Sequence, residues 1–157
     1  VSPSSAFRHY ADKRALLTAF ATRALHQLAD QMEQAKREAL LSGGDAFHAV
    51  GLAYVTFALD KPAFFRAMWR EETIYSQDSD YLAAANRLAG YLKEGFADTL
   101  VDEDPQAFSP LELLAWSSVH GLASLFVDVP VANDRQRDEK IGIADATLRS
   151  LAPAFAR

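Results

Sequence analysis

The sequence predicts an all-α fold, and three observations carry that expectation. Apolar residues recur at i, i+3, i+4 and i+7 through most of the chain. The helical runs are separated by cap and breaker residues rather than hairpin turns. No segment alternates apolar and polar residues between turn signals, and only seven of the 157 residues are glycine.

The elements follow in order. Ser2 as a cap and Pro3 at the first helical position predict a short helix at the start of the chain. Asp12 caps the next run, in which Leu17, Phe20, Ala24, Leu28, Met32, Ala35 and Ala39 keep helical spacing. One helix over 12–41 is expected, about 45 Å long at 1.5 Å per residue. Ser42-Gly-Gly44 ends it and Asp45 caps its successor. The helix 46–59 is apolar on nearly every side, as suits a helix wrapped by others. Asp60-Lys-Pro62 breaks it, and Pro62 opens a short aromatic helix through Trp69. The polar stretch 71–78 reads as a loop. From Asp80 an amphipathic helix carries Leu82, Ala85, Leu88, Ala89, Leu92, Phe96 and Leu100 until Asp102-Glu-Asp104 and Pro105. Ser109-Pro-Leu-Glu112 is a capping box with proline at the first helical position, opening a helix that runs to about Val127. A loop around Pro130 precedes a last helix with Ile141, Ala144, Leu148, Leu151 and Phe155 on one face.

Composition narrows the function. With half its residues hydrophobic, a chain of this length buries a real core as one domain, or one domain plus a fragment. The absence of cysteine excludes disulfides and thiolate metal sites and suits a reducing, cytoplasmic location. No run reaches the roughly 18 apolar residues of a membrane span, and the uncharged runs 46–59 and 113–127 read as buried helices, so no membrane role is expected. The net charge of −5 is uneven: residues 1–40 hold six Lys/Arg against four acids, and the remainder holds ten against seventeen. A locally basic N-terminus on an acidic body suits contact with phosphate at that end alone.

Three constellations stand out. The first is N-terminal: Ser2, Ser4, Ser5, Arg8 and His9 on a short helix, followed by Lys13 at the start of the long one. Arginine pairs with guanine acceptors, while lysine and helix-start N–H groups hold phosphates; periodicity alone is equally served by an ordinary surface helix with a polar face. This stretch resembles the end of the helix-turn-helix of TetR-type transcriptional regulators, whose pattern there reads roughly Val-Ser-x-x-x-Tyr-x-His-Phe-x-x-Lys-x-x-Leu. The resemblance implies that residues 1–17 are the recognition helix and the start of the linking helix, and that the chain begins within a DNA-binding domain. It places Phe7 and His9 at backbone-contacting or helix-positioning sites and Lys13 at the phosphate contact. Phe7 departs from the usual tyrosine, and Tyr10 stands where phenylalanine is usual.

The second is Trp116-Ser-Ser-Val-His120-Gly121. Trp116 and His120 share a helix face, and Gly121, with Ala123 and Ser124, admits a neighbouring helix. The segment resembles the Trp…His-Gly signature of one TetR C-terminal domain type, which implies that 18–157 is a ligand-binding and dimerisation domain. Trp116, His120, Gly121, Ser124, Ile141, Leu148 and Leu151 are the expected homodimer contacts. A histidine in this setting is also an ordinary core or interface residue.

The third is aromatic: Tyr54, Phe57, Phe64, Phe65, Met68, Trp69 and Tyr91, with Trp116 and His120 facing them. Plain core explains these residues, and so does a pocket for a small apolar or aromatic effector. His26 and His48 lack metal-ligand spacing, no Glu-x-x-His occurs, and Glu94, Asp98 and Asp102 read as a solvated acidic stripe. No glycine-rich phosphate loop or nucleophile elbow is present, so neither catalysis nor a cofactor is expected. The resemblance implies a dimeric regulator, in the first place a repressor, released from operator DNA by an apolar effector. The alternative is a helical small-molecule carrier or enzyme without DNA function.

Overall fold

The computed structural model describes residues 10–96 and 107–155, and those residues form six α-helices and two short 3₁₀ turns with no strand. Helix α1 (Lys13–Leu41) begins where its cap requires, with an Asp12 carboxylate oxygen accepting from the Ala15 N–H at 2.7 Å. It ends where Gly43 turns to φ 70°, a left-handed conformation that glycine adopts without Cβ strain, and Gly44 N–H closes on the Ala39 carbonyl at 2.7 Å. Its buried face is Thr18, Ala21, Ala24, Leu25, Leu28, Ala29 and Met32. Phe20, expected on that face, lies on its exposed margin and stacks on Phe64 with ring centroids 4.6 Å apart.

Helix α2 (Ala46–Asp60) is capped by Asp45 and packs against α1 and both C-terminal helices, as its all-round apolar sequence requires. Pro62 starts α3 (Pro62–Met68), and the expected loop after it contains a 3₁₀ turn, Glu71–Thr73. Helix α4 (Ser79–Gly95) begins one residue before the expected Asp80 and is capped by Asp78, whose Oδ1 accepts from the N–H groups of residues 80 and 81. It stops before Phe96, a buried residue set edge-on to Phe47 at 5.2 Å. Leu100 and the acidic stop after it lie outside the described residues, as do the expected N-terminal short helix and residues 1–9.

The capping box forms as expected: Ser109 Oγ accepts from the Glu112 N–H at 3.2 Å and Glu112 Oε2 from the Ser109 N–H at 2.7 Å. It opens α5 (Pro110–Asp128); after the turn Pro130–Ala132, α6 (Arg137–Phe155) closes the chain. By length and apolar content α5 meets the requirements of a membrane span, although its uncharged run alone is too short for one. Within the fold it packs on α2 and α6, and it keeps the buried Glu112 paired with Lys93 at 3.3 Å. Helices α1, α2 and α3 share one core, centred on the fully buried Leu25, Leu28, Phe57 and Met68.

Candidate functional site

Residues 47, 51 and 54 share one face of α2, and small side chains at 85 and 89 face it from α4. Where these faces meet α5 and α6 the helices do not close on one another, and a cavity of about 520 Å³ remains. Helix α2 contributes Phe47, His48, Val50, Gly51 and Tyr54; α4 contributes Ala85, Asn86, Leu88, Ala89, Tyr91 and Leu92; α5 contributes Ala115, Trp116, Ser118 and Val119. Met32, Trp69, Phe108, Leu148 and Ala152 complete the wall, with Asp45. Among the described residues no lysine or arginine lines it.

Aromatic pairs form its rim. Trp69 and Trp116 lie 5.6 Å apart, Phe108 packs on Trp116 at 5.4 Å, and Trp69 stands edge-on to His120 at 5.8 Å. The polar groups are few and mostly committed. Tyr54 Oη and His120 Nδ1 share a hydrogen bond of 2.9 Å. Burial pushes the Tyr54 phenol far above its usual range, and burial lowers the His120 imidazole against a smaller opposing effect of Asp128. Both groups are therefore neutral near pH 7, the economical state for a dyad away from water. Among the described residues the buried Trp69 indole N–H meets no acceptor. At the other end of α2's cavity face, His48 Nε2 meets Asp145 Oδ1 at 2.8 Å. Arg149, then His48, holds the Asp145 carboxyl below its usual range. The Tyr91 hydroxyl leaves the wall to donate to the Ala29 carbonyl at 3.1 Å and Glu33 Oε2 at 3.2 Å, which anchors α4 on α1. Such a site is equipped to enclose an apolar or aromatic molecule; among the described residues no metal-ligand cluster exists.

Of the aromatic residues singled out in the sequence, the structure brings Tyr54, Trp69, Tyr91 and Trp116 onto the cavity wall. It places Phe57 and Met68, both fully buried, in the solid core, Phe64 against Phe20, and Phe65 against Tyr54 and His120. These four residues and His120 are not among those that line the cavity; His120 borders it behind Tyr54 and Trp69. Phe47, Gly51, Ala85, Ala89 and Phe108 are wall residues that the sequence does not single out. The available signal is Gly51 inside an otherwise bulky helix, where a Cβ would come within 3.3 Å of Val119 and 3.5 Å of Leu148.

The expected dimer contacts divide. Trp116 and Leu148 face the cavity and His120 faces Tyr54, so these three point inward; Ile141, Leu151 and Ser124 are half-buried within the chain. Gly121 lies where a methyl group in place of its hydrogen would meet nothing within 4 Å among the described residues; Leu114 and Leu125, seven before and four after it on the same helix, are exposed, and so is Ile143 on α6. Of the N-terminal set, Ser2, Ser4, Ser5, Phe7, Arg8 and His9 lie outside the described residues, and Lys13 is the exposed first residue of α1.

Comparison with known proteins agrees with this architecture. Residues 47–150 match the family described as "Tetracyclin repressor-like, C-terminal domain". Among solved structures, a protein of unknown function from Rhodococcus sp. RHA1 superposes with a TM-score of 0.64 at 25% identity, covering 90% of this chain and 76% of that one. No curated protein matches the chain.

Proposed function

The chain belongs to the tetracyclin repressor-like C-terminal domain family, and from that premise we propose that it is the effector-binding and dimerisation part of a ligand-responsive regulator of transcription. In this reading residues 18–157 are that domain and residues 1–17 the end of a helix-turn-helix. The cavity carries the reading: it is large enough for a drug-sized apolar molecule, ringed by aromatic side chains and free of cationic ones among the described residues. Its ligand is a neutral apolar or aromatic compound, since an anion would be desolvated there without a partner.

A second copy of the chain would cover Leu114, Gly121, Leu125 and Ile143, setting two recognition helices about 34 Å apart for successive major grooves of operator DNA. Ligand binding represses or releases only through different affinities for the two states of the dimer. A regulator, not an enzyme, is what such a domain serves. A carrier without DNA function is distinguished by the absence of specific, salt-sensitive operator binding in the intact protein. Titration with N-phenyl-1-naphthylamine, a neutral fluorophore, tests the site. Saturable enhancement with quenching of Trp69 and Trp116 is expected, and both should be strongly weakened in Ala89→Phe, which puts a ring into the cavity. Binding unaffected by Ala89→Phe would remove the cavity from the proposal.

A further inference from the structure

Trp69 stands on the cavity wall, and two residues later the 3₁₀ turn Glu71–Thr73 begins. This short stretch is fastened to the first turn of α1 from several directions. Arg14 Nε donates to the Ile74 carbonyl at 2.7 Å, and Arg14 Nη2 donates to the Glu71 carbonyl at 3.4 Å. The guanidinium lies 4.7 Å over the Tyr75 ring. The Tyr75 hydroxyl donates to Asp12 Oδ2 at 2.7 Å, and the Tyr75 N–H donates to Thr18 Oγ1 at 2.8 Å. Asp12 therefore has two tasks, capping α1 through one oxygen and holding Tyr75 through the other. The shared bond leaves its mark on both groups: the Ala15 N–H, then Tyr75, lowers the Asp12 carboxyl, and Asp12 raises the Tyr75 phenol. Between these fastenings Ile74 is buried in the core at 1% exposure, so the stretch cannot drift independently of either end.

We propose that residues 69–75 are a strap that carries ligand occupancy of the cavity to the N-terminal turn of α1, with Trp69 as the sensing residue and Arg14 and Tyr75 as the coupling residues. The proposal rests on the effector-site reading above. Its physical basis is the unequal strength of the parts. Helix α3 has seven residues, too few to be stable except through its packing, so Trp69 ends the shortest helix that borders the cavity. Its C-terminal end is held by the Tyr81 hydroxyl, which donates to the Met68 carbonyl at 2.8 Å; displacement is therefore passed forward along the chain. Arg14 grips backbone carbonyls, so it follows the strap's path whatever the side chains at 71 and 74 do. A competing route exists through Tyr91, but it reaches α1 at Ala29 and Glu33, roughly four to six turns from its start.

Hydrogen-exchange mass spectrometry of the whole chain, with and without N-phenyl-1-naphthylamine, tests the strap. In the wild type, the probe should alter exchange at both 69–76 and 12–20. The double variant Arg14→Gln/Tyr75→Phe should bind the probe and respond at 69–76 while losing the response at 12–20. Tyr75→Phe alone, which removes one exposed hydroxyl and keeps the ring, should weaken that response, and Glu33→Ala, which removes the α1 side chain that Tyr91 reaches and lies off the cavity wall, should preserve it. A wild-type chain that binds the probe with no change at 12–20 overturns the strap alone, as does a double variant with the full response or its loss in Glu33→Ala. A wild-type chain that does not bind the probe overturns the effector-site reading as well.

Discussion

The two sides of α2 are made from the same kinds of residue and are packed in opposite ways. Toward α1 the interface is solid, with Leu25, Leu28, Phe57 and Met68 at 0% exposure. Toward α4 and α5 it is hollow, although its wall is as rich in rings and aliphatic side chains. Small residues face α2 from both directions: Ala21, Ala24 and Ala29 on α1, Ala85 and Ala89 on α4. On α1 they let the two helix axes approach, and large side chains fill the grooves between them. On the other side Phe47 props α2 off the end of α4 through Phe96, and Trp69 on Trp116 spaces the end of α3 from α5. Small residues between props leave a space, and rings that would be core elsewhere become a wall. Packing density is a property of which side chains oppose which, not of composition.

The difference can be broken from the solid side first. Phe57→Ala should lose about 3–5 kcal/mol in urea unfolding, as expected for a close-packed site that cannot collapse around the gap. In the hollow side, Ala89→Phe should change stability by less than the roughly 1–3 kcal/mol typical of overpacking a full core. A loss comparable with that of Phe57→Ala would mean that the cavity is filled in solution.

A smaller effect sharpens the polar end of the hollow side. Because burial lowers the His120 pKa below its reference of 6.5, the unfolded chain binds more protons as pH falls through 6.5. That part of the stability is present above 6.5, declines below it and levels off once the folded protein protonates. Tyr54, raised by burial above its reference of 10.0, loses its contribution as pH rises through 10. Unfolding measured across pH should therefore show a flatter acid limb in His120→Gln and a flatter alkaline limb in Tyr54→Phe. Unchanged limbs would show that the dyad is hydrated rather than buried.

The smallest effect on the fold is expected outside both regions. Gly121→Leu meets open space among the described residues and should raise the unfolding free energy by only about 0.5–1 kcal/mol, the gain in helix propensity of leucine over glycine. Light scattering should nevertheless show a weakened dimer, since the added side chain occupies the face proposed for the second copy. A dimer of undiminished strength would move the interface elsewhere.

Much of the fold is legible in the sequence because local signals act within a few residues. Asp12, Asp45 and the Ser109/Glu112 box start helices by satisfying N–H groups next to them in sequence, and Gly43 stops one because only its own φ is at stake. The candidate site is half legible. Tyr54, Trp69, Tyr91 and Trp116 are identifiable as amphipathic rings on inward faces, but the same reasoning admits Phe57 and Met68, which lie in the core. The faces of α6 are no easier to tell apart: Leu148 has the spacing of an interface residue and instead meets Gly51.

What the sequence determined by itself is the set of helices, their caps and the all-α class, because those depend on backbone groups a turn or less apart. What only the tertiary structure decided is where α2 is covered tightly and where it is not, which face of α5 and α6 stays open, and that Arg14 meets the carbonyls of residues 71 and 74. Each of these depends on distances between helices far apart in the chain, set by the bulk of side chains that oppose one another only after folding. Periodicity shows that a residue faces inward, but whether it meets a neighbour or a void is fixed by the residue across from it.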